Sequence, residues 1–143
     1  MPDPQPVDLT SLAPLVNNAL MEASPILVAY VTPDGQPSIS YRGSLHVHGP
    51  NQLQAWIRKP EGGLIDGIAA NPKVALWYRK ERTMLNIKGK AHVVDDEGLR
   101  RQIYDSTPEP EQKADAECRG KAILIDVESV MGRGADGPIV MRD

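Results

Sequence analysis

Three cations and a pair of glycines hold most of the chemistry in this sequence. Arg42 falls in a strand-like run, Arg58-Lys59 closes the next run, and Gly62-Gly63 opens a helical stretch. Free amides at a helix start attract phosphate through hydrogen bonding and the helix dipole. Glycines let the backbone come close, and an arginine fork matches phosphate oxygens. Together these residues could hold a phosphorylated ligand. The plainer alternative is a solvated loop with a flexible connector, because the spacing matches neither a P-loop nor a dinucleotide fingerprint.

The other reactive residues form no comparable group. His46 and His48 stand two apart in a strand-like run and so point the same way. They would offer two metal ligands, but no third His, Asp or Glu stands near them in sequence, and no metal is expected. A polar strand face near a turn, or the rim of a cofactor site, suits them better. His92 reads as an outward strand residue. Cys118, between Glu117 and Arg119, has no His nearby in sequence to activate it. No Ser-His-Asp set assembles. Trp56 and Trp77 read as core or interface anchors, and Asp95 to Glu97 as a helix start.

Composition narrows the classes further. A chain of 143 residues, 41% hydrophobic and 24% charged, suits one domain with a core that needs no staples. The single cysteine excludes an intrachain disulfide and fits a reducing compartment, so a cytoplasmic location is expected. The longest apolar run, 26–31, is far below the ~18 residues of a membrane helix, and prolines crowd the N-terminus where a secretion signal would be apolar. Sixteen basic and nineteen acidic side chains leave a net charge of -3, which argues against nucleic acid. With no Phe and 4% aromatics, stacking platforms for single strands are scarce as well.

Positioning these residues calls for short antiparallel strands. Residues 1–8 are polar and Pro-rich, a flexible arm, leaving 9–143 as a single domain. Leu9, Leu12, Leu15, Val16, Ala19 and Leu20 recur at helical steps, with Asp8 or Thr10 as cap. Residues 26–32, the turn Pro33-Asp34-Gly35 and residues 37–47 form a hairpin. In its second strand Ser38, Ser40, Arg42 and Ser44 share one face, continued by His46 and His48. Ile39, Tyr41, Gly43 and Leu45 share the other. A strand at 53–58, a short helix stopped by Asn71-Pro72, and strands at 73–79 and 83–94 follow. Asp95-Asp96-Glu97 opens a further helix, Pro108 and Pro110 interrupt, and 121–131 is the last strand. Six strands and three helices predict a mainly β, α+β fold: a small antiparallel barrel with peripheral helices.

In this order, Ile-Leu-Val-Ala-Tyr-Val-Thr-Pro-Asp-Gly-Gln-Pro at 26–37, Trp56-Ile57-Arg58, Ala70-Asn71-Pro72-Lys73-Val74-Ala75-Leu76 and Ile87-Lys88-Gly89-Lys90-Ala91 resemble the pyridoxamine 5'-phosphate oxidase-like family. The resemblance covers residues 20–131 and implies a split barrel that binds flavin mononucleotide (FMN). It lays the family's flavin-lining strand on Ser40, Tyr41, Arg42, Gly43, Ser44 and Leu45. The family's Tyr-Thr pair falls on Ile57 and Arg58, and its Ser-Arg-Lys phosphate motif on Gly62, Gly63 and Leu64. Both cations of that last motif are missing, which argues against a pyridoxamine phosphate oxidase proper. Arg58, with Lys59 and Arg42, could supply the charge while the Gly62 and Gly63 amides form the cradle.

The implied function is an FMN-dependent oxidoreductase passing hydride or electrons to an unidentified small molecule, with the flavin supplying the reactivity. A non-catalytic flavin-binding or flavin-storage protein is the alternative, as is the same fold holding a deazaflavin or haem. The resemblance also implies a homodimer with the cofactor between subunits. The limited interior of a six-stranded barrel without Phe gives an independent motive for that arrangement.

Overall fold

In the computed structural model, which describes residues 2–143, a 3-10 helix at Leu9–Leu12 runs into α1 (Ala13–Val16). Asp8 caps it, its carboxylate accepting from the Thr10 amide at 3.1 Å. β1 (Ile26–Val31) and β2 (Pro37–Arg42) form the expected hairpin, and Gly35 closes its turn at φ 91°. Then come β3 (His46–Gly49), β4 (Gln52–Ile57), α2 (Gly63–Ala70), β5 (Lys73–Lys80) and β6 (Thr83–Val93). α3 (Glu97–Asp105), α4 (Glu109–Ala114), β7 (Lys121–Gly134) and β8 (Gly137–Arg142) complete the chain. Asp96 caps α3 by accepting from the Leu99 amide at 2.8 Å.

The named strands pair antiparallel in the order β2-β1-β5-β6-β7-β4-β3, with β8 added on β7. This corrects the six-stranded barrel to an open sheet of eight strands. The extra strands have two physical causes. Residues 37–47 do not form one strand, because the Ser44 hydroxyl accepts from the Trp56 amide and donates to the Trp56 carbonyl, both at 2.9 Å. That clamp turns the chain at Gly43-Ser44 and folds β3 back onto β4. β7 also runs on past Met131, and the chain returns through Gly137, at φ 114°, as β8. α4 is a further correction: Pro108 stands at its N-cap and Pro110 in its first turn, where a missing N–H disturbs no helix bond.

The core lies on the inner face of the sheet. Val28, Leu76, Ile87 and Val130 pair in a row across β1, β5, β6 and β7, all buried. Leu9, Leu12 and Val16 and, from α2, Leu64, Ile65 and Ile68 join the same cluster. On the opposite face, under α3, Trp56, Ile103, Tyr104 and Leu124 make a second cluster. Of the arm expected at 1–8, Met1 lies outside the described residues. Gln5 bridges Met141 of β8, and Val7 is buried, so these two residues are docked.

Candidate functional site

β2 reverses the usual polarity of a strand. Cross-strand partners share a face, and the pairs Ile26↔Arg42, Val28↔Ser40 and Tyr30↔Ser38 turn its polar residues toward the buried side of β1. Ile39 and Tyr41 face outward, 62% and 67% exposed. Ser40 and Arg42 are grouped as their period predicts, and the polar face proves to be the inner one. Ser40 Oγ and Arg42 Nε are buried without a hydrogen-bond partner. Each such group left unpaired costs about 1–3 kcal/mol, so the site calls for a polar partner from outside the chain.

Arg42 shares a narrow cleft of about 40 Å³ with Gly43, Ser44, Trp56, Arg58 and Glu111. Arg58, just past β4, faces Glu111 across it, Nε to Oε2 4.0 Å, a long ion pair. The other oxygen of Glu111 sits over the bare Cα of Gly43, where any Cβ would collide with it. Burial holds the Arg42 guanidinium below the usual arginine range. The Tyr30 oxygen pulls it back up, Arg58 pushes it down again, and the Glu111 carboxylate raises it. Chemically this is a two-arginine anion site partly neutralised by one carboxylate of the chain itself.

Tyr30, which acts electrostatically on Arg42, also reaches α2. Its hydroxyl lies 3.7 Å from where a Cβ on Gly63 would stand. Gly62 (φ 71°) and Gly63 (φ 46°) both take the left-handed backbone that other residues adopt only under strain. No side chain caps α2, so its first amides are open to a ligand. The Lys59 side chain lies over Gly62, its Nζ 3.6 Å from the corresponding Cβ position.

The structure thus brings Arg42, Gly43, Ser44 and Arg58 together, with Ser40 on the same inner face as Arg42 and Lys59 at the glycine pair. Tyr41 touches the cleft but stands mostly in solvent. Ile57 and Leu64 send their side chains into the core, leaving only backbone for a ligand. Ser44 is committed to Trp56. Glu111 is the residue that sequence reasoning misses, because the prolines around it hide α4. A larger apolar hollow of about 370 Å³ opens where β1 and β5 part beyond Ala29↔Ala75. Its charged lining residues, Lys73, Lys88 and Glu128, are exposed, and none of its lining side chains carries a buried polar atom left unpartnered, as Arg42 Nε is. Among the described residues, no three His, Cys, Asp or Glu side chains gather as a metal site.

No protein-family model matches the chain, and no curated protein matches it by sequence. Solved structures match it in fold. HupZ of Group A Streptococcus superposes with a TM-score of 0.67 at 17% identity, covering 90% of this chain and 95% of that one. A pyridoxamine 5'-phosphate oxidase-related, FMN-binding protein of Nostoc punctiforme gives 0.65 at 16% identity, covering 89% and 82%. An FMN-binding protein of Syntrophomonas wolfei gives 0.65 at 7% identity, covering 88% and 91%. At such identities the likeness establishes the fold. The chain has the fold of pyridoxamine 5'-phosphate oxidase-like and FMN-binding proteins, in line with the resemblance read from its sequence.

Proposed function

We propose that this chain binds FMN and, as a two-fold dimer, uses it to pass hydride or electrons to a small molecule. The observation that carries this reading is the buried, unpartnered Arg42 Nε in a cleft shared with Arg58, with the equally unpartnered Ser40 Oγ two residues along the same inner face of β2. Phosphate oxygens would accept from both guanidinium groups, and the open α2 amides with Lys59 add donors of the same sign. The residues present therefore fit a phosphate monoester. FMN, when bound, supplies the redox-active ring, while Arg42, Arg58 and the Gly62-Gly63 turn anchor its phosphate.

The cleft has room for a phosphate group and not for a tricyclic ring, so the ring belongs outside it, against a shared surface. The outer face supports that reading. Tyr41, Leu27, Trp77, Asn86 and Met131 follow one another across β2, β1, β5, β6 and β7, and Tyr41, Trp77 and Met131 are large apolar groups left exposed. A second copy seated on this band would shield a flavin from water. Obligate interfaces of that kind bury roughly 2,000 Å² or more.

The test is to add FMN to the purified protein, remove excess by gel filtration and record the absorption spectrum. Expected are retained flavin bands and bleaching when a nicotinamide nucleotide is added. Retention without bleaching would make the protein a carrier instead of an oxidoreductase. A colourless protein that leaves FMN fluorescence unquenched at micromolar concentration would overturn flavin binding.

A further inference from the structure

The outer face of β3 and β4 holds a hydrogen-bond chain that the flavin reading does not use. Ser106, at the C-cap of α3, donates through Oγ to the Ile103 carbonyl at 3.0 Å. A carbonyl only accepts, so the single hydroxyl proton is committed, and the oxygen accepts from Gln54 Nε2 at 2.8 Å. This fixes the amide of Gln54, a side chain only 5% exposed, with Oε1 facing His48 Nδ1 at 2.9 Å. An amide oxygen also only accepts, so Nδ1 of His48 holds the proton. In the neutral ring the lone pair therefore lies on Nε2. His46 is in the same state, because its Nδ1 lies 3.1 Å from the Val47 carbonyl.

The two rings share a face. Gln54 is the cross-strand partner of His46, so the two side chains project together. The register shift between Val47 and Gly49 makes His48 the extra residue of β3, and its bond to Gln54 holds its ring on the same side. Residues two apart on a strand stand about 6–7 Å from each other, a span two imidazoles can close around one ion at ~2.0–2.1 Å per bond. Metal-ligating histidines characteristically donate their other ring N–H to an oxygen, which sets the tautomer and raises ligand basicity. Both histidines do so here. Their spacing alone offers two ligands lacking a third, whereas the fold adds the wiring that presets each as a ligand.

We propose that His46 and His48 bind one divalent transition-metal ion through their Nε2 atoms, with water completing its coordination. Imidazole ligands favour Zn²⁺, Cu²⁺ and Ni²⁺ over Mg²⁺ and Ca²⁺, and the site is independent of flavin.

Titration of the full chain with Zn²⁺ against a chromophoric chelator tests it. One saturable Zn²⁺ per chain is expected, undisturbed by excess Mg²⁺. His46→Ala and His48→Ala should each weaken binding about tenfold or more, and His92→Ala should leave it unchanged. Gln54→Leu removes the acceptor that orients His48 without touching the ion, and should weaken binding by about 10- to 100-fold. His48→Ala carries the test if Gln54→Leu fails to fold. Absence of saturable binding, sensitivity to only one of the two histidines, or full affinity in the His46→Ala/His48→Ala double variant would overturn the site.

Discussion

β2 and β6 lie in one sheet and follow opposite rules. β6 buries Leu85, Ile87 and Ala91 and leaves Lys88, Lys90 and His92 outward, as a half-buried strand should. β2 turns Ser38, Ser40 and Arg42 inward and Ile39 and Tyr41 to solvent. The row Val28, Leu76, Ile87 and Val130 ends on Ser40 of β2, so an apolar seam terminates in an unpartnered hydroxyl. A strand whose two faces are both wrong for a lone folded chain is the feature on which the proposed FMN site and dimer rest. Its inner face suits an anion, and its outer face suits a second apolar surface.

The comparison breaks first at the core. Ile87→Ala should cost about 2–5 kcal/mol in urea unfolding, as deletion of a fully buried side chain does. Ile39→Ser should stay within about 0.5 kcal/mol while shifting sedimentation from two chains toward one. A comparable loss of stability at Ile39 would make the outer face of β2 structural.

Arg42 sharpens the contrast between stability and function. Arg42→Met removes an unpaired buried donor, so unfolding stability should hold or rise, whereas FMN affinity should fall by about 1.5–3 kcal/mol, roughly 10- to 150-fold. Arg58→Ala should lose affinity by a similar factor. Isothermal titration beside urea melts separates the two readouts, and an Arg42→Met chain both destabilised and unchanged in FMN affinity would reject the assignment.

Asp115 is the satisfied counterpart of Arg42. Burial pushes its carboxyl up, but the Arg119 amide, the Trp56 indole, the Gly120 amide and Arg100 together hold it below its ordinary value of 3.8. A depressed carboxylate contributes stability that is complete above its unfolded value and lost as pH falls through the folded one. Acid melts of the unaltered chain should therefore steepen below pH 3.8 more than those of Asp115→Asn. Parallel acid profiles would remove Asp115 from that account.

The smallest effect belongs to Glu111. Its ion pair with the exposed Arg58 is worth at most ~1 kcal/mol, so Glu111→Gln should raise FMN affinity by a few-fold as the competing carboxylate leaves. Weaker FMN binding in that variant would mean Glu111 helps to hold the ligand.

Local signals made much of this architecture legible in the sequence. Pro33-Asp34-Gly35 closes its hairpin, the alternation of β6 survives intact, Asn71-Pro72 ends α2, and Asp96 caps α3. Arg42, Arg58 and the glycine pair stand out in the sequence as candidates through equally local signals. The features that escaped depend on distant partners. Ser44 breaks its strand only because Trp56, across the turn, offers both an amide and a carbonyl. Pro108 and Pro110 read as an interruption because their places at a helix start follow from where the chain turns. Glu111 came with that helix, and no spacing in the chain connects it to Arg42. Periodicity grouped Ser40 with Arg42 but could not say which face was inward, since a one-residue shift in pairing exchanges the faces.

The central claim is that the inverted inner face of β2 anchors a phosphate. Titrating the unaltered chain with FMN and with riboflavin, which differ only in that phosphate, measures it directly. FMN should bind at least about tenfold tighter, the worth of one charge-assisted hydrogen bond, and Arg42→Met should narrow that gap, leaving the share held by Arg58 and the Gly62-Gly63 turn. Equal affinity for FMN and riboflavin on the unaltered chain would contradict the account.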